Sequence, residues 1–96
     1  VWTRVVAAGH SQGGGHAAYV GKLFSIRKVI QLSSTCDSIG STPAPWTSNG
    51  VWATSPATSF IGFGNPQDAI CPNQSAIWQA MGMAPARSLL TATTCG

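Results

Sequence analysis

The chain has 96 residues, of which 44% are hydrophobic and only 7% charged. Charged residues make up about a quarter of an ordinary globular domain, so charge-driven disorder is excluded. No run approaches the roughly 18 consecutive apolar residues of a membrane span, so the apolar surplus belongs to a packed interior. The net charge of +3 comes from Arg4, Lys22, Arg27, Lys28 and Arg87 against two carboxylates, Asp37 and Asp68. Only Arg27 and Lys28 are adjacent, so the clustered basic patch of a nucleic-acid binder is missing. Any chemistry that needs a carboxylate has two residues to draw on.

The run Val5-Val6-Ala7-Ala8, ended by Gly9, reads as a buried strand. After Gly13-Gly14-Gly15, residues Ala17, Val20, Gly21 and Phe24 fall at i, i+3, i+4 and i+7, which is one face of a helix. Val29-Ile30-Gln31-Leu32 reads as a second strand, and strand–helix–strand order implies a βαβ unit with a parallel sheet. An irregular stretch rich in Ser, Thr, Pro and Gly follows from Ser33 to Ser59 and carries Trp46 and Trp52. A loop of this length is functional or disordered as a rule, and two tryptophans argue against disorder. They either line a substrate pocket or pin the loop to the core. Phe60-Ile61-Gly62-Phe63 reads as a third strand and Gly64-Asn65-Pro66 as its turn. Asn73 is placed to cap a last helix with Ile77, Ala80, Met81 and Ala84 on its face, stopping near Gly82 and Pro85. Trp78 and Trp2 read as packing residues. Ser33-Ser34-Thr35 is a strand end without an assigned role, and Ser88 to Gly96 admits a further strand.

Cys36, Cys71 and Cys95 form no C-x-x-C, and no Cys–His spacing matches a zinc site, so no metal is expected. Few lysines and many Ser, Thr, Gly and Trp residues suit an exported, secreted or periplasmic protein, in which a disulfide persists. Cys36 and Cys71 each lie just beyond the end of a strand, and the two strands are expected to be neighbours, so these two are the expected pair. Cys95 is then left with a partner, if any, outside this chain. The alternative is three reduced thiols in a core. The chain starts Val1-Trp2-Thr3-Arg4 rather than with Met and a basic segment, so a signal segment is not expected within it.

Gly9-His10-Ser11-Gln12-Gly13 matches G-x-S-x-G, with a strand expected before it and a helix after it. Such a turn forces the serine into a strained backbone and lifts its Oγ above the sheet. The flanking glycines are expected because a Cβ there would collide with the neighbouring strand or helix. The Gln12 N–H, at a helix N-terminus, is then aimed at a developing oxyanion. A competing reading takes Gly13-Gly14-Gly15-His16-Ala17-Ala18 as G-x-G-x-x-A, with Asp37 about 20 residues on, in a dinucleotide-binding βαβ unit of an oxidoreductase. Gly9, Gly13 and Gly15 are also spaced as in short-chain dehydrogenases, although Tyr19 to Lys22 is one residue short of Y-x-x-x-K. A P-loop fails because His16 stands where the lysine is needed.

Val5 to Tyr19 resembles the nucleophile elbow of the α/β-hydrolase superfamily, in particular exported bacterial-type members with G-H-S-Q-G followed by small residues. Thr42-Pro43-Ala44-Pro45-Trp46 and Phe60 to Asp68 are similar to the same group, and the likeness covers roughly residues 1 to 84. The resemblance implies part of a three-layer α/β fold, with about three parallel strands and two helices. It also implies a serine hydrolase, of esterase or lipase type, acting on ester or related acyl bonds of a small-molecule substrate. No cofactor is implied. Ser11 takes the place of the nucleophile and Gln12 that of an oxyanion donor. The family's triad order of Ser, Asp/Glu, His makes Asp68 the acid, with Asp37 the alternative one strand earlier. The departure is the base. His10 and His16 both precede the aspartates, so the resemblance places the histidine, the second oxyanion donor and flanking strands in sequence outside residues 1–96. On that reading the chain is a central-to-C-terminal section of one hydrolase domain, its partner the remainder of that domain, and alone it is inactive. A truncated homologue kept for interaction is the non-enzymatic alternative.

Overall fold

The computed structural model describes residues 1–48, 54–85 and 88–90, the last two by backbone alone. Trp52 and Cys95 lie outside the described residues. Three of the apolar runs form parallel strands: β1 (Val6–His10), β2 (Lys28–Leu32) and, later in the chain, β5 (Phe60–Gly64). Helix α1 (Gln12–Leu23) makes the crossover from β1 to β2. The first part of the long segment before β5 forms a small antiparallel hairpin, β3 (Ser38–Ile39) and β4 (Thr42–Pro43). Gly40, at φ +59°, takes the first central position of its two-residue turn, where a positive φ is required. Helix α2 (Gln74–Ala80) then leads to β6 (Ser88–Leu90), which pairs parallel with β5 and gives a sheet of order β1-β2-β5-β6. The expected α/β architecture, a parallel sheet with two helices, is therefore present, and the Ser88 tail supplies a fourth strand.

Both helices cover the same face of the sheet. Val29 and Gln31 of β2 lie in register with Phe60 and Gly62 of β5. A Cβ on Gly21 of α1 would meet Val29 and Phe60, and one on Gly62 would meet the Trp78 ring of α2. The core forms in this layer, from Ala17 and Ala18 of α1, Val29, Phe60, and Ile77, Trp78 and Met81 at α2. The opposite face presents Ala8, Ile30 and Ile61 in one row and His10, Leu32 and Phe63 in the next. Val6, Leu32 and Phe63 are exposed there, so the strands alternate rather than being buried on both sides.

Two local expectations change, and a buried lysine joins the core face of α1. The buried stripe of α1 runs through Gly14, Ala17, Ala18, Gly21 and Lys22, while Phe24 is exposed and stacks on Trp2 at 4.5 Å. Lys22 goes inward, with its stem buried and its Nζ donating to Ser48 O at 2.9 Å. Asn73 occupies the N-cap position of α2 but makes no cap bond, and its Nδ2 donates to Gly40 O at 2.6 Å, which ties the β3–β4 hairpin to the helix start. The other end of α2 stops near Gly82 as expected. Gly82, at φ +75°, donates to Gln79 O and Met83 to Trp78 O, the two bonds of a Schellman close.

Candidate functional site

Ser11 stands between β1 and α1, where the chain turns from extended to helical within one residue. Its backbone sits at φ 54°, ψ −123°, a conformation that side chains other than glycine rarely adopt. Three hydrogen bonds hold it there. Ser11 N–H donates to Leu32 O at 2.8 Å, and Ser11 O accepts from Gly14 N–H at 3.0 Å and Gly15 N–H at 3.4 Å. The turn is possible because the helix passes directly over the strand end, where a Cβ on Gly9 would lie 2.1 Å from Gly13 O. Gly13 itself has nothing within 4 Å of a notional Cβ, so crowding does not explain the second glycine of the motif. The second crowded position is Gly14, where a Cβ would fall 2.4 Å from Ser34 Cβ.

The N–H groups of Gln12 and Gly13 make no backbone hydrogen bond among the described residues. They open the first turn of a 12-residue helix, where unsatisfied donors and the helix dipole together favour negative charge. Ser11 itself is half-buried, and its hydroxyl has no protein hydrogen-bond partner among the described residues. It makes no hydrogen bond to His10 or His16. His10 is exposed at the end of β1, and its register with Leu32 and Phe63 sets it on the sheet face without helices. His16 is exposed on the flank of α1.

The two aspartates differ sharply in environment. Asp68 is partly buried in the loop after β5. Its Oδ1 accepts the N–H groups of Ile70 at 2.9 Å and Cys71 at 3.0 Å. Its Oδ2 takes only a long 3.3 Å bond from Gln74 Nε2. One oxygen is therefore fixed by backbone amides while the other keeps accepting capacity. The Asp37 carboxylate is exposed and has no hydrogen bond or ion pair among the described residues. A Cβ on Gly15 would lie 2.9 Å from its Oδ1, so Asp37 sits over the flank of α1. A dinucleotide reading wants that flank for a pyrophosphate, and here Ser34 and the Asp37 carboxylate border Gly14 and Gly15.

Cys36 and Cys71 are disulfide-bonded, with Cα atoms 5.1 Å apart. The bridge joins the segments that follow β2 and β5, next to Asp37 on one side and in hydrogen-bond contact with Asp68 on the other. Ser11, Asp37 and Asp68 all follow the C-terminal ends of parallel strands, the edge at which open α/β sheets keep their sites. Two strand steps, about 10 Å, separate β1 from β5.

The Ser33–Thr35 segment gains a role that the sequence did not disclose. Ser33 adopts φ 51° and its N–H donates to Phe63 O at 2.7 Å. Buried Ser34 packs its side chain on Gly14, while Ser34 O accepts Trp78 Nε1–H at 2.8 Å. Thr35 Oγ1 donates to Gln31 Oε1 at 2.7 Å. Ser34 thus couples the serine turn to the core tryptophan, and only a polar run after an apolar strand hints at it. Trp46 is half-buried, meets Tyr19 edge-on, and borders a groove along α1.

Among the described residues no group of three His, Cys or Asp side chains could hold a metal ion. No described helix is long and apolar enough to cross a membrane. Comparison with protein-family models, curated proteins and solved structures returns no match.

Proposed function

We propose that this chain carries the nucleophile of a serine hydrolase with the α/β-hydrolase arrangement, acting on ester or related acyl bonds. The observation that carries this reading is the backbone of Ser11, held at positive φ between a parallel strand and a helix whose first two N–H groups make no backbone hydrogen bond among the described residues. Non-glycine residues held at such a φ/ψ pair, at a cost of order 1–3 kcal/mol, cluster at active sites and ligand clamps. In the proposed reaction Ser11 Oγ attacks the acyl carbon and its proton passes to a histidine other than His10 and His16. The oxyanion that develops on the acyl oxygen is met by the Gln12 N–H. The leaving alkoxide takes the proton, and water then releases the acyl group from Ser11 by the reverse relay.

Asp68 is the acid we assign to orient that histidine. Its Oδ1 is tied to two backbone amides and Oδ2 is left to accept an imidazole N–H. Asp37 is set over α1 and lacks such support. The disulfide fits an exported location, secreted or periplasmic. The test is hydrolysis of a short-chain p-nitrophenyl ester by the intact protein and its Ser11→Ala variant. Loss of about four or more orders of magnitude in kcat in a folded variant is expected. Equal rates would overturn the assignment.

A further inference from the structure

A groove of about 350 Å³ runs along the flank of α1, lined by Gln12, Gly15, His16, Tyr19, Asp37 and Trp46. Its chemistry is distinct from that of the Ser11 turn. The Tyr19 and Trp46 rings meet at 84° with centroids 5.2 Å apart, so they form a corner rather than a stack. Asp37, one of two carboxylates in a chain of net charge +3, faces the same space with no hydrogen bond or ion pair among the described residues. Among the described residues no lysine or arginine lines the groove. Aromatic faces attract a cation within about 6 Å of the ring centroid, and a carboxylate adds the counter-charge.

We propose that this groove binds an organic ammonium group, with Asp37 as counter-ion and Trp46 and Tyr19 as aromatic walls. Other ligand classes fit less well. An anion meets the carboxylate directly. A neutral aromatic would bury Asp37 without a partner, at a desolvation cost. A hard metal ion needs several oxygen ligands, and the groove offers one carboxylate. The proposal does not depend on the role given to Ser11. The groove does open at Gln12, beside that residue, so a cationic ligand seated in it lies next to the serine turn.

The experiment titrates the protein with choline chloride and, separately, with 3,3-dimethylbutan-1-ol, the uncharged isostere. Shifts of the Trp46 indole N–H signal are followed by NMR at constant ionic strength. Saturable shifts with choline, and affinity at least about fivefold weaker for the isostere, are expected from one cation–π corner plus one ion pair. Asp37→Asn should weaken choline by a similar factor. Equal response to choline and its isostere in the wild-type protein would overturn the proposal, whatever the variants do. An Asp37→Asn variant that binds choline as well as wild type would overturn it too.

Discussion

Asp68 Oδ1 accepts the backbone N–H of Cys71 at 3.0 Å, and the Cys71 side chain is bonded to Cys36. A single covalent bridge therefore sets the loop of one aspartate and anchors the neighbour of the other. The bridge spans 35 positions in sequence, which on the chain-entropy account contributes about 3–4 kcal/mol. Replacing both cysteines by serine should lower unfolding free energy by about that amount, read from urea denaturation. Reducing agent should lower wild-type stability equally and leave the double variant unaffected. A non-reduced digest should yield the Cys36–Cys71 linked peptide.

The glycines of the serine turn differ in what surrounds them, and substitution should separate them. Gly9→Ala and Gly14→Ala each place a Cβ inside 2.5 Å of fixed atoms, Gly13 O and Ser34 Cβ respectively. Each should cost more than about 1–3 kcal/mol, the range for overpacking, since the colliding atoms are backbone or locked side chain. Gly13→Ala meets open space in a helix and should stabilise by up to about 1 kcal/mol. Thermal denaturation of the three variants checks the order.

The two aspartates should also separate. On the proposed assignment Asp68→Asn lowers kcat by about 10⁴, because an amide presents the wrong partner to the histidine. Asp37→Asn should cost less than about tenfold with an uncharged ester, since no hydrogen bond is lost. Steady-state kinetics with circular dichroism to confirm folding compares them.

Burial pushes the Lys22 ammonium below its ordinary value of 10.5. Above that lowered pKa and below 10.5, the unfolded chain holds a proton that the folded chain has released. Stability from this group therefore rises with pH across that window and is flat beneath it. Lys22→Met removes the titration and should abolish the rise. Denaturation midpoints of both proteins, measured from neutral pH up to 10.5, give the comparison.

The strands and the serine turn were legible because their signals are local: apolar runs ended by glycine, and a serine between glycines at a strand–helix junction. The disulfide was legible because it needs only the strand ends and their adjacency. Other features depend on long-range packing that no local pattern carries. Lys22 turns inward because Ser48, 26 residues away, accepts its ammonium. Asn73 holds the N-cap position without a cap bond, its side chain turned instead to donate from Nδ2 to Gly40 O, 33 residues away. Ser34 looked like a featureless strand end, and its roles at Gly14 and Trp78 exist only once three elements meet. The uncovered face of Val6, Leu32 and Phe63 was hidden because a run of apolar residues reads the same whether one face of a strand is packed or both.

Activation of Ser11 as a nucleophile can be read by covalent capture, without knowledge of the substrate. The intact protein is treated with a fluorophosphonate probe and digested, and the modified peptide is sequenced by mass spectrometry. Stoichiometric labelling at Ser11 alone is expected, lost in Ser11→Ala and strongly slowed in Asp68→Asn. An unlabelled Ser11 in folded protein, or labelling at another serine that persists in Ser11→Ala, would contradict it.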